Sequence, residues 1–129
     1  MPPRKVVIDT NFFLVPYQFK IDILTELEHL IDVHHVYIIT SKTIKELEKI
    51  AENSGKKGAG GKFALKLIEA NKDKMEIMES NKPVDTWIEE YAEEHGAIVC
   101  TNDIKLKKKL KDNGIKVISL RGKTKIGYV

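Results

Sequence analysis

Five short apolar runs, separated by stretches with helical periodicity, limit the fold of this 129-residue chain more than any other feature. Between the runs, apolar residues recur every three or four positions, which is the spacing of one helix face. Strands that alternate with helices are typical of a parallel sheet with helices on both sides. We therefore predict an α/β fold of three layers, α/β/α, around a central five-stranded parallel sheet.

The bounds of the predicted elements follow from the same pattern. The strands are residues 5–9, 36–40, 74–79, 97–101 and 115–120, and the tail up to Val129 is a candidate for a short edge strand. Helices are predicted over residues 12–32 with an interruption near Pro16, from Ser41, from Phe63, over 84–95 and over 103–112.

The segment NSGKKGAGGK, residues 53–62, contains four glycines and three lysines, and we predict that it is a flexible loop. It does not match a P-loop, because that motif follows a strand and ends in G-K-[ST]. Here the segment follows a predicted helix, and Phe63 stands where the hydroxyl would be. Two interpretations stay open: a mobile basic loop that contacts phosphates, or a plain connector.

Length and composition indicate a single domain over residues 1–129. No apolar run approaches the roughly 20 residues of a membrane span, and the first residues lack the pattern of a signal peptide. The single Cys100 cannot form an internal disulfide, and its apolar neighbours predict a buried thiol. We therefore expect a cytoplasmic protein with no membrane partner.

Charge is distributed unevenly along the chain, although the net charge is only +3. Residues 104–129 carry nine basic side chains and one acidic one, whereas residues 1–103 carry 13 basic and 18 acidic side chains. An acidic body with a basic C-terminal quarter indicates an anionic partner, although a solvated lysine-rich helix face is the simpler alternative. The candidates for contacts with phosphates are Lys105, Lys107, Lys108, Lys109 and Arg121.

Four acidic residues follow the predicted strands at the same end of the sheet. Asp9 ends the first strand, Asp103 follows the fourth, and Glu46 and Asp85 lie in the helices after the second and third. Ligands of open α/β sheets bind at this carboxyl edge, so the four side chains are expected to converge there. Helix capping remains an alternative for each one, and Thr43 with Glu46 even fits a capping box.

Converging carboxylates point to a metal-dependent reaction. Carboxylates that lie close together repel one another, and hard oxygen ligands suit Mg²⁺ or Mn²⁺. Such an ion lowers the pKa of bound water and stabilises the charged transition state of phosphodiester cleavage. Asn11 and Thr101 are expected to orient the ligands or the water. The four histidines lack the spacing of a zinc site.

The segments VVIDTNFFL, TSKTIKELEKI and VDTWIEEYAEEHGAIVCTND, followed by a basic helix and IKVISLRGK, resemble the PIN-domain family over nearly the whole chain. The resemblance implies one PIN domain whose strands are ordered 3-2-1-4-5. It also implies an Mg²⁺- or Mn²⁺-dependent endoribonuclease that acts on single-stranded or structured RNA. Matched by position, the acidic site is Asp9, Glu46, Asp85 and Asp103, with Asn11 and Thr101 as polar accessories.

The resemblance leaves the biological role open. VapC-type toxins are about this size, often form homodimers and are blocked by an antitoxin, whereas related PIN nucleases process ribosomal RNA. The runs PYQFKIDILTELEHLI and SLRGKTKI are similar to an archaeal group closer to the processing enzymes. A third interpretation is an RNA-binding or ribosome-assembly module without strong catalysis. A phosphotransfer receiver is disfavoured, because the paired acids after strand one and the lysine ending strand five are missing.

Overall fold

The computed structural model of the chain describes residues 2–129 and contains six strands, six helices and two short 3-10 helices. The strands are β1 (Arg4–Ile8), β2 (His35–Thr40), β3 (Met75–Met78), β4 (Ile98–Cys100), β5 (Val117–Arg121) and β6 (Lys125–Tyr128). The helices are α1 (Val15–Phe19), α2 (Ile23–Leu30), α3 (Ser41–Ala51), α4 (Gly55–Ala70), α5 (Val84–His95) and α6 (Ile104–Asp112). The 3-10 helices are Thr10–Leu14 and Lys72–Lys74.

The strands form one sheet in the order β3-β2-β1-β4-β5-β6. The first five are parallel, so the predicted α/β class is confirmed. The sheet has six strands rather than the predicted five, because the tail, a candidate edge strand, forms β6 and pairs antiparallel with β5. Gly122 adopts a φ of 64°, which permits the tight turn between the paired Arg121 and Lys125. Beyond the pairing with β5, the Ile126 amide donates to Glu26 Oε1 of α2 at 3.1 Å.

The sheet separates two apolar cores, because successive side chains of a strand point to opposite faces. Val6 and Ile8 of β1 belong to the core that α1 to α4 cover. Val7 belongs to the core that α5 and α6 cover. A central parallel strand is therefore apolar on both faces, which explains the uninterrupted run before Asp9.

The chain segment after β1 is held by two buried aromatic side chains. Phe12 and Phe13 of the 3-10 helix are fully buried, and each contributes roughly 1.5–3 kcal/mol by leaving water. Pro16 lies in the first turn of α1, where its missing amide proton costs no helical hydrogen bond. These contacts hold Asp9 at the carboxyl edge of the sheet.

Segment 53–62 is not a flexible loop, because α4 begins at Gly55. Glycine favours helix less than alanine by about 1 kcal/mol, so packing must offset its low propensity. A Cβ on Gly61 would lie 2.7 Å from the backbone nitrogen of Ala51, and one on Gly58 would lie 1.7 Å from the carbonyl oxygen of Asn53. The glycines thus allow α4 to approach α3 more closely than other residues would.

Cys100 is fully buried in β4, as predicted, and burial raises the pKa of its thiol. Among residues 2–129, no helix combines the length and the apolar content that crossing a bilayer requires.

The approach of α4 to α3 predicts opposite effects for two neighbouring glycines. Gly61→Ala should lower the free energy of unfolding by about 1–3 kcal/mol, because the new methyl group meets backbone. Gly60→Ala should raise it by up to about 1 kcal/mol, because the nearest atom, in the Tyr17 ring, is 3.7 Å from the new Cβ. Urea unfolding of both variants measures the difference. Equal stability of the two would contradict the close approach.

Candidate active site

Asp9 lies at the carboxyl end of β1 and is only 7% exposed. Its Oδ1 accepts a hydrogen bond from the Thr10 amide at 2.8 Å, so Asp9 does cap the following 3-10 helix. Its Oδ2 accepts from the Thr101 hydroxyl at 2.7 Å and from the Asn11 amide group at 3.2 Å. Capping therefore uses one carboxylate oxygen, and the other is held by two polar side chains.

Burial raises the pKa of Asp9 above its ordinary value, and it is the largest influence on that carboxyl. The hydrogen bonds from Thr101 and Thr10 lower the pKa but do not cancel the effect of burial. The negative charges of Asp103 and Glu46 raise it further. Ionising Asp9 therefore costs more than ionising a solvent-exposed aspartate, and a positive charge nearby would offset that cost.

Glu46 is linked to the segment after β1 rather than to its own helix start. Its Oε1 accepts from the Thr10 hydroxyl at 2.6 Å. The capping box of Thr43 and Glu46 does not form, because Thr40 caps α3 by accepting from the Thr43 amide. Glu46 is therefore free of a capping role, and its carboxylate faces the end of β1.

Asp103 and Asp85 both lie at helix starts. Asp103 caps α6 by accepting from the Leu106 amide at 3.0 Å, and its own amide donates to the Thr101 hydroxyl at 3.1 Å. Asp85 lies in the first turn of α5, is exposed, and accepts from the Thr86 amide at 2.9 Å. One oxygen of each carboxylate remains outside these hydrogen bonds.

All four acids line one open cleft of about 310 Å³ at the carboxyl edge of the sheet. No lysine, arginine or histidine lines this cleft, which we call the acidic cleft. Within residues 2–129, none of the four carboxylates forms an ion pair. The remaining lining residues are Thr10, Asn11, Leu14, Ile50, Pro83 and Val84. The acidic cleft therefore concentrates negative charge without an internal counter-charge.

The donor set of the acidic cleft fits a hard divalent cation, because it offers carboxylate, amide and hydroxyl oxygens and no sulfur or imidazole. In the described part of the chain, no three Asp, Glu, His or Cys side chains stand together as a ready ligand group. Mg²⁺ does not need one, since it usually keeps several waters and binds one or two carboxylates. The metal-binding role of the four acids stays a prediction.

Sequence reasoning missed three residues that support the acidic site. The Thr10 hydroxyl binds Glu46, and the Asn102 amide donates to Asn11 Oδ1 at 3.1 Å. The Ser119 hydroxyl donates to the Thr101 carbonyl oxygen at 2.6 Å. Thr10 lies in the segment VVIDTNFFL and Asn102 in the segment AIVCTND, so both were close to predicted site residues. Ser119 carries no such signal, because its role depends on how β5 lies beside β4.

The predicted phosphate contacts lie outside the acidic cleft. Four of them are on α6 and one ends β5, and all are exposed except Lys107, which is half-buried. They are Lys105, Lys107, Lys108, Lys109 and Arg121. Their role stays a prediction.

The sequence of this chain is similar to those of known proteins over most of its length. Residues 6–123 match the model of a family described as PIN like domain. Ribonuclease VapC9 of Archaeoglobus fulgidus is 36% identical over 115 residues, which cover 88% of this chain and 81% of the relative. Ribonuclease VapC4 of Methanocaldococcus jannaschii is 33% identical over 121 residues, which cover 92% of each chain.

Solved structures have the same fold. The PIN domain endonuclease Utp24 aligns with a TM-score of 0.75 and 26% identity, over 99% of this chain and 92% of that one. VapBC2 from Rickettsia felis, bound to a DNA fragment from its promoter, aligns with a TM-score of 0.63 and 19% identity. That alignment covers 91% of this chain and 99% of the other. At 19% identity it supports only the similarity of the fold.

The burial of Asp9 predicts a specific pH dependence of stability in the presence of a metal chelator. Because the pKa of Asp9 is raised on folding, the folded state binds its proton more tightly than the unfolded state. Relative to Asp9→Asn, the wild type should be most stable below pH about 4 and should lose that advantage as the pH rises through the raised pKa. Chemical unfolding of both proteins at a series of pH values measures this difference.

The control for this measurement is Asp112→Asn, which makes the same chemical change at an exposed position at the end of α6. Adding Mg²⁺ or Mn²⁺ should restore part of the wild-type stability at neutral pH. A wild type that gains stability over Asp9→Asn as the pH rises without metal would contradict the cost assigned to the buried carboxylate.

Proposed function

The chain belongs to the PIN-like domain family, and on that premise we propose that it is a divalent-metal-dependent endoribonuclease. The reaction is hydrolysis of RNA phosphodiester bonds at the acidic cleft. One observation carries the proposal: four carboxylates from four separate chain segments line one cleft that contains no basic side chain. Helix capping accounts for single acids but gives no reason for all four to share a cleft.

The relatives support the reaction class. Two curated relatives that match at least 88% of the chain are named ribonucleases. A structural neighbour that aligns with 99% of the chain is described as a PIN domain endonuclease. The sequence relatives and the structural neighbour therefore both favour a nuclease activity.

In this proposal Asp9, Glu46, Asp85 and Asp103 would hold Mg²⁺ or Mn²⁺, one or two of them directly and the others through waters on the ion. Such an ion, when bound, would supply an activated water and would offset the negative charge that develops on the scissile phosphate. Without a cation, burial and the neighbouring acids raise the pKa of Asp9. A cation in the cleft would favour the ionised carboxylate, so metal binding would offset the cost of burying this charge.

The polar neighbours of the acids act as positioning residues. Thr101 donates to Asp9 and accepts from the Asp103 amide, so a single hydroxyl sets the distance between two acidic residues. Thr10 orients Glu46 in the same way. Asn11 donates to Asp9 and accepts from the Asn102 amide, which joins the ends of β1 and β4.

For the biological role, we propose a VapC-type toxin whose partner is an antitoxin. The names of the two curated relatives favour this role over ribosomal-RNA processing, which stays an alternative prediction together with a ribosome-assembly partner. Formation of a homodimer also remains a prediction. The RNA-binding module without strong catalysis is the alternative that the cleavage experiment separates from the nuclease.

Cleavage of a labelled RNA with single-stranded loops should require Mn²⁺ or Mg²⁺ and should stop with a chelator. Asp9→Asn and Asp103→Asn should each lower the rate by about a hundredfold or more, because they remove metal-binding oxygens. Thr101→Val should lower it by about ten- to a hundredfold, because Asp9 loses its orienting donor. Single-turnover rates on a denaturing gel give these values.

Asp112→Asn is the matched control and should cleave like the wild type. Circular dichroism of each variant verifies that loss of activity is not loss of fold. RNA binding without cleavage, in either metal and with several structured RNAs, would replace the nuclease by the RNA-binding module.

A further inference from the structure

Two further clefts continue from the acidic cleft along α3, α4 and α1. One has a volume of about 430 Å³, shares Thr10, Glu46 and Ile50 with the acidic cleft, and adds Lys49, Asn53 and Lys57. The next has a volume of about 590 Å³, shares Lys57 with the second cleft and Leu14 with the first, and adds Lys20 and Lys56. These shared residues place the two added clefts next to each other and next to the acidic cleft. We call the two added clefts together the basic groove, after Lys20, Lys49, Lys56 and Lys57.

The basic groove carries unpaired positive charge. All four of its lysines are exposed, and within residues 2–129 none of them forms an ion pair. Glu46, at the border with the acidic cleft, is the one acidic residue among those lining the two added clefts. The groove is therefore suited to a polyanion that continues into the acidic cleft.

The glycine-rich start of α4 explains why two of the lysines lie at this groove. Gly58 and Gly61 allow α4 to lie directly against α3, and Gly60 lies beside the Tyr17 ring of α1. Lys56 and Lys57 lie in the first turn of α4, just before these contacts. The packing of α4 against α3 and α1 therefore positions both lysines at the basic groove. As a flexible loop, the segment would hold neither lysine in a fixed position.

An aromatic hollow lies at the far end of the basic groove. It has a volume of about 450 Å³ and shares Tyr17 and Lys20 with the groove. The rings of Tyr17 and Phe63 lie 6.2 Å apart at an angle of 52°, and Phe63 is 45% exposed. Lys20 Nζ lies 4.7 Å from the centre of the Tyr17 ring. The other lining residues are the apolar Pro16, Ile21, Ile23 and Leu67 and one acidic residue, Asp22.

We propose that single-stranded RNA lies along the basic groove, with its phosphates on the four lysines and one base against Tyr17 and Phe63. The proposal rests on the proposed nuclease function, because the acidic cleft is the other end of the same path. Stacking of a base on aromatic rings requires a base that is not paired in a duplex, so the geometry favours single strands. The continuity with four lysines favours RNA over a protein segment as occupant of the hollow.

The basic groove lies on a different face of the sheet from the lysines of α6. Helices α1 and α4 contribute to the first core, whereas Leu106 and Leu110 of α6 contribute to the second. The two sets of lysines therefore predict different paths for the RNA, and substitutions can separate them.

Binding of a labelled, mixed-sequence single-stranded RNA of about 12 nucleotides, with chelator present to prevent cleavage, tests the path. Lys56→Gln with Lys57→Gln should lower the affinity about tenfold at moderate salt. The same pair should reduce the slope of log affinity against log salt by about 1.4, because two phosphate contacts are lost. Lys72→Gln with Lys74→Gln, in the exposed 3-10 helix outside the groove, is the matched control and should leave the slope unchanged.

The aromatic hollow is tested by substitutions that keep its apolar packing. Phe63→Leu should lower RNA affinity about fivefold without changing the salt slope, because it removes a stacking surface and no charge. Phe63→Trp should retain the affinity. If Phe63→Leu binds RNA like the wild type, the base assignment is overturned, and a protein segment becomes the occupant to test.

The outcomes distinguish this path from the nuclease function. If the wild type cleaves RNA but only Lys108→Gln with Lys109→Gln weakens binding, the basic groove is overturned and the nuclease stands. If the Lys56 and Lys57 pair weakens binding but the wild type cleaves nothing with metal, the groove stands and the nuclease fails. A wild type that neither binds nor cleaves RNA overturns both.

Discussion

The hydrogen bond from Thr101 to Asp9 joins the ends of two neighbouring parallel strands, and the site depends on it. The two residues are 92 positions apart in sequence but only 2.7 Å apart at Oγ1 and Oδ2. The pairing of Ile8 with Cys100 in the sheet brings them together. The interaction orients a buried carboxylate that nothing within the described residues neutralises, so stability is given up locally for a site of negative charge.

The surrounding contacts extend this constraint to separate parts of the chain. Thr10 reaches Glu46 on α3, and Asn11 reaches the Asn102 backbone after β4. The same short 3-10 helix is held by buried Phe12 and Phe13, so core packing and site geometry are coupled. A substitution of Phe12 or Phe13 would therefore shift the backbone that positions the acidic side chains, although neither residue contacts them through a polar group.

The parallel sheet was predictable because β1, β2, β4 and β5 are apolar on both faces. The location of Asp9 and Asp103 at the edge of the sheet follows from that topology. The sixth strand was less evident, since β6 depends on a turn at Gly122. The start of α4 was predicted wrongly, because glycine content lowers helix propensity while the compensating contact of Gly61 with Ala51 exists only in three dimensions. The support of Thr101 by Ser119 likewise depends on strand register, which no local pattern encodes.

The hydrogen bond between Ile126 and Glu26 has a consequence for self-association. Strands at the edge of a sheet recruit other chains through unpaired backbone amides. Glu26 occupies one such amide of β6, and the opposite edge, β3, is only four residues long. Neither border of the sheet offers a long template for intermolecular strand addition, so copies of this chain that meet would do so through helix surfaces and side chains.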